Sequence, residues 1–427
     1  MSADPGPRSA AESAFLETVW SNLRRNYIAH LLHGLLGQTG FRLLNAPTFL
    51  PAYVYSLSGS DVAVGLARAL QYFGMFLSPV LGAALIEHRR RVLPVGFVVG
   101  ALMRVQLLGI ALAGLLLPAP WNLRAICLFL GLFGFFLGMQ GVIFGYLVSK
   151  TIPIERRGVL VGLRQFLAGL TSIAVAYFGG NYLIERNALG DGYAATFLLA
   201  FGLTVLGLCM LLAVREPEPP AVRPVSRVRD RMRELPALLR SDRGFTRYFL
   251  ARALATMGRM AVPFYVLFAS SRMDLTGSDL GILTAAFLLA QTSANLVWGW
   301  VADRTGFRLI FLAALVVWIL AVVLLMRSVD LGLLVVVFLG LGAGLGGFML
   351  AGQNMVLEFG EREDLPMRIA VANSASELVG AVGPLVGGLI AATFSYVAVF
   401  WLAIGFQCAA IVVVVFWVDE PRRAASR

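Results

Sequence analysis

The sequence predicts an all-α membrane protein: twelve transmembrane helices in two pseudo-symmetric six-helix bundles. Composition, the recurrence of long apolar runs and a repeat between the two halves carry that reading. Of 427 residues, 59% are hydrophobic and only 14% charged. With a mean hydropathy of +0.80, the chain lies outside the range of ordinary soluble domains and takes lipid as its solvent. Apolar stretches of about twenty residues recur from Tyr27 to Val418, each long enough as a helix to cross a hydrocarbon core of roughly 30 Å. Runs such as Leu331 to Leu341 are continuously apolar rather than alternating, which sets aside a β-barrel.

Residues 1–26 form an N-terminal segment without the apolar core and cleavage site of a signal peptide. Phe15, Val19, Trp20 and Leu23 recur at helical spacing ahead of Arg24 and Arg25, as in a helix lying on a membrane surface. The N-terminal bundle, 27–214, contains spans at roughly 27–56, 62–87, 92–117, 123–149, 158–184 and 193–214. A linker, 215–244, opens with the proline-rich Glu216 to Pro224. Val225, Val228, Met232 and Leu235 then alternate with arginines, as in a basic amphipathic helix. The C-terminal bundle, 245–418, contains spans at roughly 245–271, 279–301, 307–327, 331–357, 368–393 and 396–418, and residues 419–427 form a tail.

The net charge of +11 lies in short connections between spans, which argues for orientation in a membrane and against nucleic-acid binding. About 25 Lys and Arg fall on one side and about four on the other, so both termini and the linker are expected in the cytoplasm of a bacterial-type inner membrane. Cys127, Cys209 and Cys408 lie scattered within apolar spans, so neither disulfides nor a metal site is expected. No Gly-x-x-x-x-Gly-Lys phosphate loop, nucleophile constellation or paired carboxylates stand out, so neither a cofactor nor enzymatic activity is expected.

The halves repeat in order. Leu57-Ser58-Gly59-Ser60-Asp61 follows the first span and Leu275-Thr276-Gly277-Ser278-Asp279 the seventh, and each precedes an apolar helix and a charged connection. The second connection, Gly299-Trp300-Val301-Ala302-Asp303-Arg304-Thr305-Gly306-Phe307-Arg308, resembles the cytoplasmic signature of the major facilitator superfamily. The resemblance extends over nearly the whole chain. It implies a monomeric secondary transporter whose two bundles rock about a midplane site lined by spans one, four, seven and ten.

In that family Gly299, Asp303, Arg304, Gly306 and Arg308 would form a conformational latch. Asp303 would lie near the start of span five at Gly158, with the arginines near Glu358. The first-half copy, with Glu87 and Arg91, departs from the pattern because it lacks a second glycine. Gly131, Gly134, Gly138, Gly141 and Gly145 place a glycine stripe on span four. Gln140-Gly141 is present, but Leu137 stands where drug/proton antiporters carry an arginine, which weakens a drug-efflux reading.

A charge near the bilayer centre costs about 2.5–3.5 kcal/mol on insertion scales. Arg42 and Arg259 lie about 20 Å along spans one and seven, and Arg104 about 18 Å along span three. Arg68, Arg164 and Arg252 lie nearer helix ends and are expected to snorkel. Glu377 is the one acid deep in a span, so the balance calls for an anion. Arg42 and Arg259 occupy equivalent spans and resemble the paired arginines with which organophosphate antiporters of this superfamily clamp phosphate. Gln38, Asn45, Gln140, Gln291, Asn295, Gln353 and Asn354 are candidate substrate contacts, while Glu377, His30 and His33 are candidates for proton coupling. The alternatives are purely structural arginines, export of amphipathic or lipid-like compounds, and a non-transporting sensor or assembly factor.

Overall fold

The computed structural model describes residues 7–86, 88–219, 243–358 and 365–418, and their side chains except those of 7–12, 77, 243 and 357–375. The linker helix, the C-terminal tail, Glu87 and the Glu358 side chain lie outside the described residues. Helix α1 (Pro7–Ser21) leads into the first span, which is divided into α2 (Leu23–Asn45) and α3 (Phe49–Ser58). Helices α4 (Asp61–Ile86), α5 (Leu93–Leu116), α6 (Trp121–Thr151), α7 (Ile154–Phe178) and α8 (Gly192–Met210) complete the N-terminal bundle. The seventh span is α9 (Arg243–Met257), a 3-10 stretch (Gly258–Phe264) and α10 (Tyr265–Ser270). Helices α11 (Gly277–Thr305), α12 (Phe307–Leu325), α13 (Leu331–Asn354), α14 (Leu365–Thr393) and α15 (Tyr396–Trp417) follow. Among the described residues, eleven helices are long and apolar enough to span a membrane, and the divided first span supplies the twelfth crossing.

Spans one and seven read from the sequence as continuous helices, and the structure corrects both. Pro47 has no N–H and drives Ala46 into an extended conformation (φ −56°, ψ 148°), which ends α2. Pro263 sits in the 3-10 stretch of span seven. An arginine lies close to each proline: Arg42 precedes Pro47 by five residues, and Arg259, inside the 3-10 stretch, precedes Pro263 by four.

The two halves pack alike. In the first, α4 and α5 each pack on α6, and α2 packs on α8; in the second, α11 and α12 each pack on α13, and α9 packs on α15. Glycine permits the closest approaches: a Cβ at Gly134 on α6 would collide with the Gln71 carbonyl of α4, and one at Gly342 on α13 with the Phe287 carbonyl of α11. The glycine stripe on α6 is only partly a packing surface, because nothing lies within 4 Å of a Cβ placed at Gly141 or Gly145.

The bundles meet along α4–α14 and α7–α11, two seams that exchange under the pseudo-twofold. We call the end carrying the N-terminus and the linker the basic face, and the opposite end the far face. At the far face Tyr396 donates to Asp61 (2.7 Å), Ser278 donates to Asn181 (2.5 Å) and its backbone N–H to Glu185 (3.1 Å). Deeper in, the Thr48 and Thr284 hydroxyls are 2.5 Å apart. Gly65 abuts the Pro384 carbonyl, and Gly180 abuts Gly277 and Gly281. Toward the basic face the seam parts: Cβ positions at Gly158 and Gly162 on α7 and Gly299 on α11 meet nothing within 4 Å. Among the described residues, the seam is therefore closed at the far face and parts toward the basic face.

Candidate functional site

Where the seam begins to close, a polar band crosses the molecule. Arg42 on α2 donates from Nη1 to Thr292 on α11 (3.1 Å) and from Nη2 to the Gln165 side chain on α7 (3.0 Å). One turn further along α2, Asn45 accepts from Gln71 Nε2 (2.7 Å), and Gln71 Oε1 accepts from Arg68 (2.9 Å), both on α4. The next residue of α4, Tyr72, accepts from Arg259 Nη2 (2.5 Å), and its ring lies 4.6 Å from that guanidinium. Glu377 on α14 is in electrostatic contact with Arg259 and Arg252, and its Oε2 is buried without a hydrogen-bond partner. The band thus joins α2, α4, α7 and α11 with the 3-10 stretch of span seven and α14.

The arginines in this band meet neutral acceptors. Ion pairs within 4.0 Å among the described residues are Arg91–Glu218 and Lys150–Glu216, both at the basic face. Among the described residues, Arg42, Arg68 and Arg259 have no carboxylate at that distance, and Arg42 and Arg259 are only half-buried. Arg68 answers the break in span one: its Nη2 donates to the carbonyls of Leu44 (3.3 Å) and Ala46 (2.9 Å), which Pro47 deprives of helical partners. Snorkelling is corrected for all three arginines to which it was assigned. Arg68, Arg164 and Arg252 are 6%, 8% and 8% exposed and lie inside the protein.

The other sequence candidates divide by place. Gln38 is half-buried on α2, one turn before Arg42. Gln291 and Asn295 face Gly346 of α13, with Asn295 Oδ1 buried and unpartnered, while Gln353 is exposed and Asn354 donates to its own helix at Leu350 (2.8 Å). His30, His33 and Gln140 lie within the N-terminal bundle, away from the band. His30 Nε2 is 2.8 Å from Thr151 Oγ1, and His33 Nδ1 is 3.0 Å from the Gly207 carbonyl. Arg104 bridges α5 to α8: Nε donates to Thr204 O (2.5 Å) and Nη1 to Gly100 O (2.7 Å).

The latch residues sit at the open face. Gly306 has φ +86°, as a tight turn requires. Asp303 and Arg304 are exposed, with Arg304 stacked 3.8 Å from the Trp300 ring. Arg308 donates to the Val414 and Val415 carbonyls of α15 (3.1 and 3.0 Å), and Arg91 pairs with Glu218 (2.9 Å). The resemblance places Asp303 near Gly158; in this conformation Gly158 and Gly299 both border open space.

Sequence reasoning missed Tyr72, Gln165 and Thr292. Their signal was a hydroxyl or amide inside an apolar run, which marks a polar partner without saying which helix holds the other half.

A family model described as Major Facilitator Superfamily matches residues 32–277 and 248–427. The chain is 30% identical over 152 residues to a hexuronate transporter of Bacillus subtilis (strain 168), an alignment that spans only 35% of either protein. It is 25% identical over 396 residues to the multidrug resistance protein MdtG of Enterobacter lignolyticus (strain SCF1), covering 89% of this chain and 88% of that one. Among solved structures, a mutant of the nucleoside transporter NupG matches with a TM-score of 0.72 at 13% identity, over 91% of this chain and 99% of that one. A D-xylose–proton symporter matches with 0.72 at 14% identity, over 93% and 98%. At such identities these structures speak for the fold, and the family model speaks for kinship. With two similarly packed six-span halves, a cross-bundle polar band and a family match over nearly its whole length, this chain belongs to the major facilitator superfamily.

Proposed function

We propose that this protein is a secondary active transporter that carries a small organic anion by alternating access, coupled to protons, in a bacterial-type inner membrane with both termini cytoplasmic. One observation carries the reading. Arg42 and Arg259 lie five and four residues before Pro47 and Pro263 in matching spans of the two bundles, where the seam parts toward the basic face, and among the described residues neither has a carboxylate in ion-pair contact. Uncompensated charge at that depth is costly, and a bound anion offsets the cost. Guanidinium stays charged and grips carboxylate or phosphate with two parallel bonds. The relative named a hexuronate transporter supports the same chemistry, since a hexuronate is a sugar carboxylate.

Glu377 supplies the coupling. Ionised, it offsets part of the Arg259 charge and competes with an anion for it; protonated, it leaves Arg259 to the substrate. Proton and anion then bind together, which is symport. No enzymatic step belongs to this reading.

Proteoliposome uptake of D-glucuronate and inorganic phosphate, driven by an imposed pH gradient, tests it. Arg42→Gln and Arg259→Gln should each slow uptake tenfold or more, about 1.4 kcal/mol of lost stabilisation, with the thermal midpoint retained. Undiminished anion uptake would overturn the site. Glu377→Gln should abolish pH-driven accumulation yet keep exchange of preloaded substrate.

The similarity to MdtG over most of the chain favours a second reading, export of amphipathic compounds. In that case the arginines are structural, and efflux of a hydrophobic dye should survive both arginine substitutions.

A further inference from the structure

We propose that the N-terminal bundle holds a second oxyanion site, centred on Arg164 and shared with Arg104, between the central band and the basic face. Arg164 is 8% exposed and Arg104 1%. The Arg164 guanidinium lies 4.4 Å from the Phe144 ring. It makes no hydrogen bond or ion pair among the described residues, and its Nε is buried without an acceptor. Arg104 spends Nε and Nη1 on backbone carbonyls, but its buried Nη2 has no acceptor.

The surroundings complete the donor set. A notch in α2 admits both side chains: a Cβ at Gly34 would collide with Arg164 Nε, and one at Gly37 would lie 3.9 Å from Arg104 Nη2. Gln140, one turn before Phe144 on α6, is buried with both amide atoms unpartnered, and its Nε2 and Arg104 Nη1 approach the same Cβ position at Gly100 (3.2 and 3.1 Å). The His33 ring packs 4.9 Å from Phe144. Two guanidiniums and an amide thus converge with no carboxylate among their described contacts, while the His33 ring, its Nδ1–H spent on the Gly207 carbonyl, only packs beside them.

Water would satisfy donors but not the charge of two cations inside a membrane protein. A carboxylate or phosphate satisfies both, since its oxygens accept several charge-assisted bonds at once. The open space beside Gly141 and Gly145, on the same helix as Gln140 and Phe144, offers a route from the basic face. Gly34 lies eight residues, about 12 Å, from Arg42 along α2, so this site is distinct from the central band and does not depend on the transport reading.

The test is thermal unfolding of the purified full-length protein titrated with inorganic phosphate, against sodium chloride at matched ionic strength. A ligand that binds only the folded state raises the midpoint saturably. In an Arg42→Gln background, which disables the central band, phosphate should still raise the midpoint. Adding Arg164→Gln should abolish that rise, and adding Gly34→Ala, which displaces Arg164 while keeping its charge, should weaken phosphate at least threefold. Arg164→Lys, which keeps the charge without the fork, should weaken it comparably and serves if the glutamine variant fails to fold. The proposal is overturned if Arg42→Gln alone removes the response, if the Arg164 variants respond like their parent, or if chloride gives the same rise.

Discussion

Glu216 holds three partners at once. Its Oε1 accepts from Lys150 Nζ (2.6 Å) and the Val92 N–H (2.7 Å), and its Oε2 accepts from the Leu93 N–H (2.8 Å). Lys150 also donates to the Arg90 carbonyl. The ion-paired side chains are only 3% and 4% exposed, so the start of the linker is strapped beneath α5 and α6 by a buried pair at a helix N-terminus. Removing one partner of such a pair leaves the other charge buried, at a cost of about 3–5 kcal/mol. Glu216→Ala should therefore lower the thermal midpoint in detergent well below that of an exposed control such as Glu218→Ala. Lys150→Met with Glu216→Leu should regain part of the loss, because no lone charge remains, though the α5 N-terminus stays uncapped. Equal midpoints for Glu216→Ala and Glu218→Ala would show that the strap contributes nothing. At this scale the sequence was legible in depth but not in partnership. Counting along a helix put Arg42 and Arg259 well inside the membrane, yet their bonds to Thr292 and Tyr72 cross between bundles and that to Gln165 crosses between two helices of one bundle, where local periodicity carries no information. Arg68 was misread for the related reason that its acceptors exist only because Pro47 breaks the helix beside it.

Helix α6 carries its glycines in two registers with different surroundings. Gly134 and Gly138 face α4, where a Cβ would strike Gln71 and Ser78, whereas Gly141 and Gly145 face open space. The run of three- and four-residue spacings promised a single packing stripe. It could not show that α4, past Ser78, packs on the Met139 side of α6, with Gly82 against Met139, and leaves Gly141 and Gly145 facing open space. Substitution separates the two groups. Gly134→Ala forces a methyl into the α4 backbone, and overpacking of that kind costs about 1–3 kcal/mol. Gly141→Ala meets nothing within 4 Å and trades a poor helix former for the best one, a gain of up to about 1 kcal/mol. Thermal midpoints of the two variants should fall on opposite sides of the wild type, and a like drop in both would mean that the space beside Gly141 is not open in solution. Gly342→Ala on α13 should behave as Gly134→Ala does, since its collision with the Phe287 carbonyl repeats the same contact in the other half.

For the molecule as a whole, the duplicated pattern was readable from two short repeats and a run of apolar segments, but the conformation was not. Which face is closed depends on small-residue contacts between α4 and α14 and between α7 and α11, and glycine spacing alone does not say whether a helix packs within its bundle or across the seam. At the far face the decisive contacts are backbone to backbone, with Gly65 against Pro384 and Gly180 against Gly277 and Gly281. A transporter that alternates must separate these surfaces in its other state, and a bulky side chain at Gly65 acts as a wedge that the open arrangement tolerates and the closed one does not. Gly65→Leu should therefore shift the population toward opening at the far face. The shift is measurable as a longer distance between spin labels at Asn187→Cys and Asp274→Cys, exposed positions flanking the Glu185–Ser278 contact, with Cys127, Cys209 and Cys408 replaced. Because a cycle needs both states, substrate uptake should fall with the thermal midpoint largely unchanged. An unaltered distance distribution in Gly65→Leu would mean that the far-face seam yields locally around the new side chain, and the two bundles would then not move as the rigid bodies that alternating access requires.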